Sequence, residues 1–297
     1  MDRFDSMSVL LAVVKNGSFS AASRMLGIPV ASVSRKISEL ESRLNAKILI
    51  RSSRRMRLTD AGQSYVEACR RILEDLDEAE RAIKGEYQEP RGDLTVTAPI
   101  SFGRLHLLPV VLDFLAAYSD IDIRLVLSDR QLDLLEDNVA LAIRIGNLGE
   151  SSLIASRIGS TRIVVCASPI YLNSRGRPKT PKDLRAHDCI TFDNLAAPDA
   201  WRFAGSKDDV LVPIRSRLTV NMAETAIDAA IEGRGLLRMM SYKIEEARRA
   251  GALEVVLEQF EPAPLPINFL YPGQGPLPLK LSAFMSFATP RLKARLS

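Results

Sequence analysis

At 297 residues, with 46% hydrophobic and 26% charged side chains, the chain is long enough for two or three compact units and has no stretch polar enough to read as long disorder. Cys69, Cys166 and Cys189 lie far apart and form no CxxC pair, which excludes a disulfide framework or zinc site from expectation and fits a reducing cytoplasm. The net charge of +4 is uneven: residues 1–62 carry eleven Lys and Arg against five Asp and Glu, or +6, and the remainder nets −2, so one end suits phosphate and the other does not.

The amino terminus carries Asp2 and Asp5 and too short an apolar run for a signal peptide, and nowhere do about 18 apolar residues follow one another. Neither export by that route nor a membrane partner is expected. Phe4, Met7, Leu11 and Val14 recur at helical spacing, and Asn16-Gly17 closes that first helix. Ser18 reads as the N-cap of a short second helix that stops at Gly27. A third follows at once, with Pro29 in its first turn and Val33, Ile37, Leu40 and Leu44 as its buried stripe.

Two helices about a tight glycine turn make a helix-turn-helix, whose second member can lie in a DNA major groove. With Val33 and Ile37 inward, Ala31, Arg35 and Ser38 point outward, flanked by Ser32 and Ser34. Arg35 can take guanine O6 and N7 together, while the serines and the helix's first amides suit phosphates. After Asn45, the segment AKILIRSSRRMRLTDAG alternates apolar residues about Ser52-Ser53-Arg54-Arg55 and predicts a hairpin wing, with Arg51, Arg54, Arg55 and Arg57 on phosphates.

From Gln63 to about Tyr87 no proline or glycine intervenes until Gly85, and Val66, Cys69, Leu73, Leu76 and Ile83 keep a three-four spacing. A helix of roughly 35 Å is expected, longer than one small domain needs, with that stripe as a self-association face. Pro90 and Gly92 then mark a hinge over residues 86–92.

Beyond Gly92, apolar runs (LTVTA, IDIRLVLS, LAIRI, RIVVCAS, RLTVNM, GLLRMM, INFLY) alternate with helical stretches such as LHLLPVVLDFLAAY and AETAIDAAIEG. That alternation predicts an α/β body with largely parallel sheets. Ligands of such sheets bind beyond the strands' carboxyl ends, which singles out Thr97, Ala98, Pro99, Ile100 and Ser101, then Ser128, then Arg144 and Gly146, and Asn221 with Met222. Arg238 lies in a further strand. Two arginines among hydroxyls and a helix amino end suit a small effector bearing a carboxylate.

The run GSFSAASRMLGIPVASVSRKISELESRLNAKILIRSSRRMRLTDAG, residues 17–62, resembles the amino-terminal signature of LysR-type transcription regulators across its whole length. The resemblance implies that residues 18–26 and 29–44 are the two helices of the motif, the second being the recognition helix, that Ser18, Pro29 and Val30 join the DNA-facing set, and that the long helix pairs two chains as a dimer or, further, a tetramer. Residues 92–297 resemble, more loosely, the family's effector-binding domain, with AIRIG, SPIYL, DLRAHDCI and LPLKLSAF as familiar runs. The implied fold is an α+β multidomain chain: a winged helix-turn-helix over 1–62, a linker and dimerisation helix over 63–91, and a periplasmic-binding-protein-like body of two lobes, 92–160 with 268–297 and 161–267. Where many members have Ser-Gln, this chain has Pro29-Val30, so a polar base contact is lost and a thymine methyl contact is open. Ala140 stands where Asp is common and Met239-Met240 where proline is common.

His106 and His187 lack metal or nucleophile spacing, and Gly233-Arg-Gly235 follows a helix and is no complete dinucleotide loop. No catalysis, metal or cofactor is expected. The reading is a cytoplasmic regulator whose promoter binding responds to an effector and reaches RNA polymerase; a transporter's solute-binding protein and an architectural DNA-binding protein with a vestigial cleft stand as alternatives.

Overall fold

The computed structural model describes residues 2–51, 56–83, 89–130, 132, 134, 137, 139–149, 152–192, 199–205, 208–273 and 277–296, with backbone only at 51, 71, 74, 75, 77–79 and 81–83. The chain divides into two compact units, Met1–Gly92 and Asp93–Ser297.

In the first unit the helices α1 (Arg3–Asn16), α2 (Phe19–Leu26) and α3 (Val30–Leu44) begin and end where their capping residues dictate. The Asp2 carboxylate accepts the Phe4 amide at 3.0 Å, and the Ser18 hydroxyl accepts the Ala21 amide at 3.1 Å. Gly17 and Gly27 leave α1 and α2 in the left-handed region at φ 68° and 67°, and Asn45 leaves α3 at 49°. The hairpin β1 (Leu49–Arg51) and β2 (Met56–Leu58) pairs antiparallel, and α4 (Asp60–Ile83) follows. Val9, Leu10 and Val13 of α1, Val33, Ile37 and Leu40 of α3, Ile48, Leu49, and Val66 and Cys69 of α4 form one core. Fully burying each aliphatic chain contributes about 1.5–3 kcal/mol.

Three sequence expectations shift here. The inner face of α1 is centred on Val9, Leu10 and Val13, and Phe4 is exposed, because helices α2, α3 and α4 enclose α1 from the side one residue round. Leu44 is exposed at the end of α3. Pro29 precedes α3 as its N-cap, its carbonyl accepting the amides of Ser32 and Val33 at 2.9 and 3.1 Å.

The second unit contains two five-stranded sheets. Lobe I orders its strands β4 (Ile121–Leu127), β3 (Gly92–Ala98), β5 (Leu141–Ile145), β14 (Leu265–Pro272) and β6 (Leu153–Thr161). Lobe II orders β11 (Arg215–Val220), β8 (Asp188–Phe192), β12 (Leu236–Met240), β7 (Ile163–Ala167) and β13 (Glu254–Val256). Beside it lies the hairpin β9 (Ala200–Phe203) and β10 (Val210–Pro213). Both sheets are mixed rather than largely parallel: β3 with β5 and β8 with β11 and β12 are parallel, whereas β14 runs antiparallel to β5 and β6, and β7 to β12 and β13. Antiparallel partners follow from the chain crossing between lobes and returning, which reverses direction at β7 and again at β14.

Helix α5 (Ile100–Phe102) runs through a π turn (Gly103–Leu107) into α6 (Leu108–Ala117). That run has the length and apolar composition of a membrane span, yet Phe102, Leu107, Val110 and Phe114 are core residues of lobe I, packed with Ile143, Phe269 and Phe284. The last of these comes from α10 (Leu279–Leu296), which closes lobe I. In lobe II, α7 (Pro169–Arg175) covers one sheet face with Trp201 and Leu236, while α8 (Ala223–Ile231) and α9 (Ser241–Arg249) cover the other with Leu237 and Met239.

Candidate nucleic-acid interface and ligand cleft

The face of α3 turned away from the core carries Ala31, Arg35 and Ser38, all exposed, with Ser32 and Ser34 half-buried beside them. Val30 is 43% exposed at the start of the helix. Arg35 reaches outward with its side chain 71% exposed and its Nε 3.7 Å from Glu39 one turn on, a contact that exposed i,i+4 pairs hold only weakly. With Pro29 at the N-cap no side chain caps α3, so its amino end keeps N–H groups for an incoming anion. Ser18 is exposed, its hydroxyl oxygen engaged by the Ala21 amide and its proton still to give.

A buried carboxylate ties helix to wing. Glu41, 5% exposed, accepts the amides of Ile48 and Leu49 at 3.0 and 3.1 Å and the Lys47 ammonium at 2.9 Å. Burial would raise its pKa, but the Lys47 and backbone hydrogen bonds outweigh it and hold the carboxyl below its ordinary value. The wing arginines are placed unevenly: Arg57 is exposed on β2, the backbone of Arg51 lies in β1, and Arg54 and Arg55 lie outside the described residues.

The long helix starts at Asp60, earlier than Gln63, because Gly62 lets it pass close under β1: a Cβ there would sit 2.2 Å from the Ile48 carbonyl oxygen. Its expected pairing stripe divides in two. Val66 and Cys69, 3% and 0% exposed, are packed inside the head's own core and have no surface to offer a second chain. Leu73 and Leu76 are half-buried, Ile72 is 41% exposed, and the side chain of Ile83 lies outside the described residues, as do residues 86–88 of the expected hinge.

In the second unit the structure brings together part of the strand-end set and adds residues that the sequence reading missed. The Ile100 amide donates to Asp129 Oδ1 at 3.1 Å, and Ser101, 3% exposed, donates to Glu224 Oε1 at 3.1 Å. Glu224 lies in the first turn of α8, so this bond joins the lobes, and Arg104 stands 3.9 Å from the same carboxylate. Asn221 and Met222 are exposed just before α8. From α9, Tyr242 packs edge-on against Phe102 and His106, with its hydroxyl buried and unbonded among the described residues. Lys243 follows it: burial lowers its pKa, against which Asp129 and Glu224 pull upward. Asp129, Glu224, Tyr242 and Lys243 lie two to four residues beyond the ends of β4, β11 and β12, just past the residues that the strand-end rule singled out.

Other candidates are occupied or elsewhere. Thr97 is fully buried and donates to the Val126 carbonyl at 2.8 Å; Ser128 turns back on Arg130, and the Gly146 amide donates to Pro266 O at 2.9 Å. Pro99 is half-buried. Arg238 points away from α8, because Leu237 and Met239 take the α8 face of β12, and it donates to the Arg202 carbonyl at 3.1 Å. Arg144 pairs across the sheet with Asn268, on the face opposite the lobe I core, since their neighbours Ile143 and Phe269 are core residues. Its Nη2 is buried without a hydrogen-bond partner among the described residues, and burial lowers its pKa.

Comparison with known proteins gives concordant results. Residues 4–63 match the family described as bacterial regulatory helix-turn-helix protein, lysR family, and residues 87–293 match the LysR substrate binding domain. An uncharacterized HTH-type transcriptional regulator of Haemophilus influenzae is 31% identical over 95% of this chain and 98% of its own. The HTH-type transcriptional activator AaeR of Escherichia coli is 32% identical over 97% and 94% of the two chains. Among solved structures, CrgA, a LysR-type transcriptional regulator from Neisseria meningitidis, superposes with a TM-score of 0.63 at 27% identity, covering 97% of this chain and 98% of that one.

Proposed function

This chain belongs to the LysR family of transcriptional regulators, and from that premise we propose how its own residues divide the work between DNA and effector. The observation that carries the proposal is α3: an outward row of Ala31, Arg35 and Ser38 behind an amino end that no side chain caps. In this reading Arg35 reads a guanine through its two-pronged donor set, Val30 and Ala31 touch thymine methyls, and Ser18, Pro29, Ser32, Ser34 and the first amides of α3 set the helix against phosphates. Arg51, Arg54 and Arg55 clamp the adjoining backbone from the wing. Leu73, Leu76 and Ile83 of α4 join two chains, so that two recognition helices meet one operator. Val66 and Cys69 drop out of that surface because the head's core uses them.

The effector binds the second unit, and its class follows from which donors are unspent. At Ile100 and Ser101 the donors already face Asp129 and Glu224. An anionic group is therefore seated at Arg144, whose Nη2 has no partner among the described residues, while Asn221 and Met222 close the other side. Binding there shifts the lobes, changes the spacing of the heads and alters what RNA polymerase meets. Catalysis has no part in this scheme, and the cytoplasm, where promoters are, is its setting.

The test is fluorescence anisotropy on a promoter fragment and on random duplex. Arg35→Ala is expected to lose about 1–3 kcal/mol of discrimination while random-duplex affinity changes little. Equal losses on both duplexes would overturn the assignment of Arg35.

A further inference from the structure

The end of the lobe II sheet opposite the one that leads into α8 gathers a charge cluster outside the residues assigned above to DNA and effector. Asp188, the first residue of β8, has a carboxylate only 11% exposed, and three guanidinia converge on it: Arg175 at 3.4 Å, Arg217 at 3.5 Å and Arg215 at 3.8 Å. Arg175 ends α7, and Arg215 and Arg217 come from the edge strand β11. Two local features fix the arrangement. The buried Tyr171 hydroxyl accepts the Asp188 amide at 2.9 Å, which anchors the carboxylate's backbone. The pairing of β11 with β8 slips between Ser216 and Leu218, so Arg217 sits on a bulge, and bulges re-aim side chains.

The cluster carries more positive charge than one carboxylate can balance. Three arginines about one aspartate leave a surplus of two charges, and the side chains of Arg175, Arg215 and Arg217 remain 56%, 70% and 56% exposed. Each contact is single and long, whereas a guanidinium offers five donors. Among the described residues, two nearby acids have other partners: Asp183 accepts the amides of Lys179 and Thr180 at 2.9 Å, and Glu254 is paired with Arg177. Exposed ion pairs contribute at most about 1 kcal/mol, so mutual repulsion makes a third arginine a poor stabiliser of the fold.

We propose that Arg175, Arg215 and Arg217, aligned by Asp188, bind the phosphate dianion of a small molecule at a site separate from the effector cleft. A phosphate matches the surplus in charge and presents three acceptor oxygens to donors held in fork geometry. Asp188 serves as the inner counter-charge that keeps the three side chains converged when the site is empty.

The experiment is calorimetric titration of the full chain at about pH 8, above the second ionisation of a phosphate monoester near 6 and where inorganic phosphate is also mostly dianion, with sodium chloride at matched ionic strength as the blank. Inorganic phosphate and glycerol 3-phosphate are the probes, and the tighter of the two tells whether free phosphate or a phosphorylated metabolite is the source. One saturable site per chain is expected, weakened at least tenfold by Arg215→Gln and by Arg217→Gln and unchanged by Arg249→Gln. Should the glutamine variants fail to fold, Arg217→Lys keeps the charge, removes the fork and is expected to weaken binding several-fold. Absence of saturation, or equal affinity in the Arg215→Gln/Arg217→Gln double variant, overturns the proposal. So does a double variant that loses only duplex binding, which would make the cluster a DNA contact, or one that only aggregates, which would make it a guard of the sheet edge.

Discussion

Glu41 is the buried carboxylate on which the junction between α3 and the wing turns. Its oxygens hold the amides that open β1, so it sets the angle between α3 and the wing. Glu41→Ala leaves those donors buried and unsatisfied, and is expected to cost about 1–3 kcal/mol in urea unfolding. Because its folded pKa lies below the unfolded value, this stabilisation is present above the ordinary carboxylate range and is lost as pH falls through the folded pKa. The difference between wild type and Glu41→Ala should therefore shrink on acidification from neutral pH; a difference that stays constant down to about pH 3 would remove the charged form from the explanation. The outward position of Arg35 was legible in the sequence because helical spacing fixes which residues oppose Val33 and Ile37. Glu41 was not, since nothing in spacing tells a buried glutamate from a solvated one until its partners six to eight residues on are placed.

At the scale of elements, the caps were the most readable feature: Ser18, Gly17, Gly27 and Asn45 each end or begin a helix through their own backbone preferences. Edge strands read unevenly: β4 and β11 showed as apolar runs, whereas β6 did not. β6 mixes Ser156, Arg157 and Ser160 among its apolar residues because it closes lobe I and shows one side to water, so it lacks the apolar run that marked β3 and β5. The stripe on α4 misled for another reason, since a three-four spacing does not say whether the surface it meets belongs to the same chain. Gly62→Ala is expected to push α4 from β1 and destabilise the head by about 1–3 kcal/mol, read as a lower urea midpoint. Leu73→Glu with Leu76→Glu should instead leave the head's stability within about 0.5 kcal/mol and dissociate the oligomer in sedimentation velocity. If the double variant sediments as the wild type does, the pairing surface lies elsewhere.

At the scale of the whole molecule, the two lobes of the second unit meet through Ser101, Arg104 and Glu224. Glu224→Ala removes both contacts and is expected to weaken lobe closure by about 1 kcal/mol. Hydrogen exchange should then quicken at the amides of α5 and α8 and stay unchanged in α7. Uniform quickening across lobe II would mean that the mutation loosens the lobe rather than the junction. The two-lobe plan was legible through the family resemblance, whereas the acids and Tyr242 that line the junction were not, because only the folded chain brings residues 101, 129, 224 and 242 together.

The crossing between the lobes has a practical consequence. Strand β6 ends at Thr161 directly opposite Leu265, where β14 begins, so the hundred or so residues between them leave and re-enter through adjacent backbone positions. Such a segment has the layout of a cassette: the equivalent stretch of a relative can be spliced into this scaffold with ends that already meet, exchanging lobe II while Arg144 and the rest of lobe I stay in place.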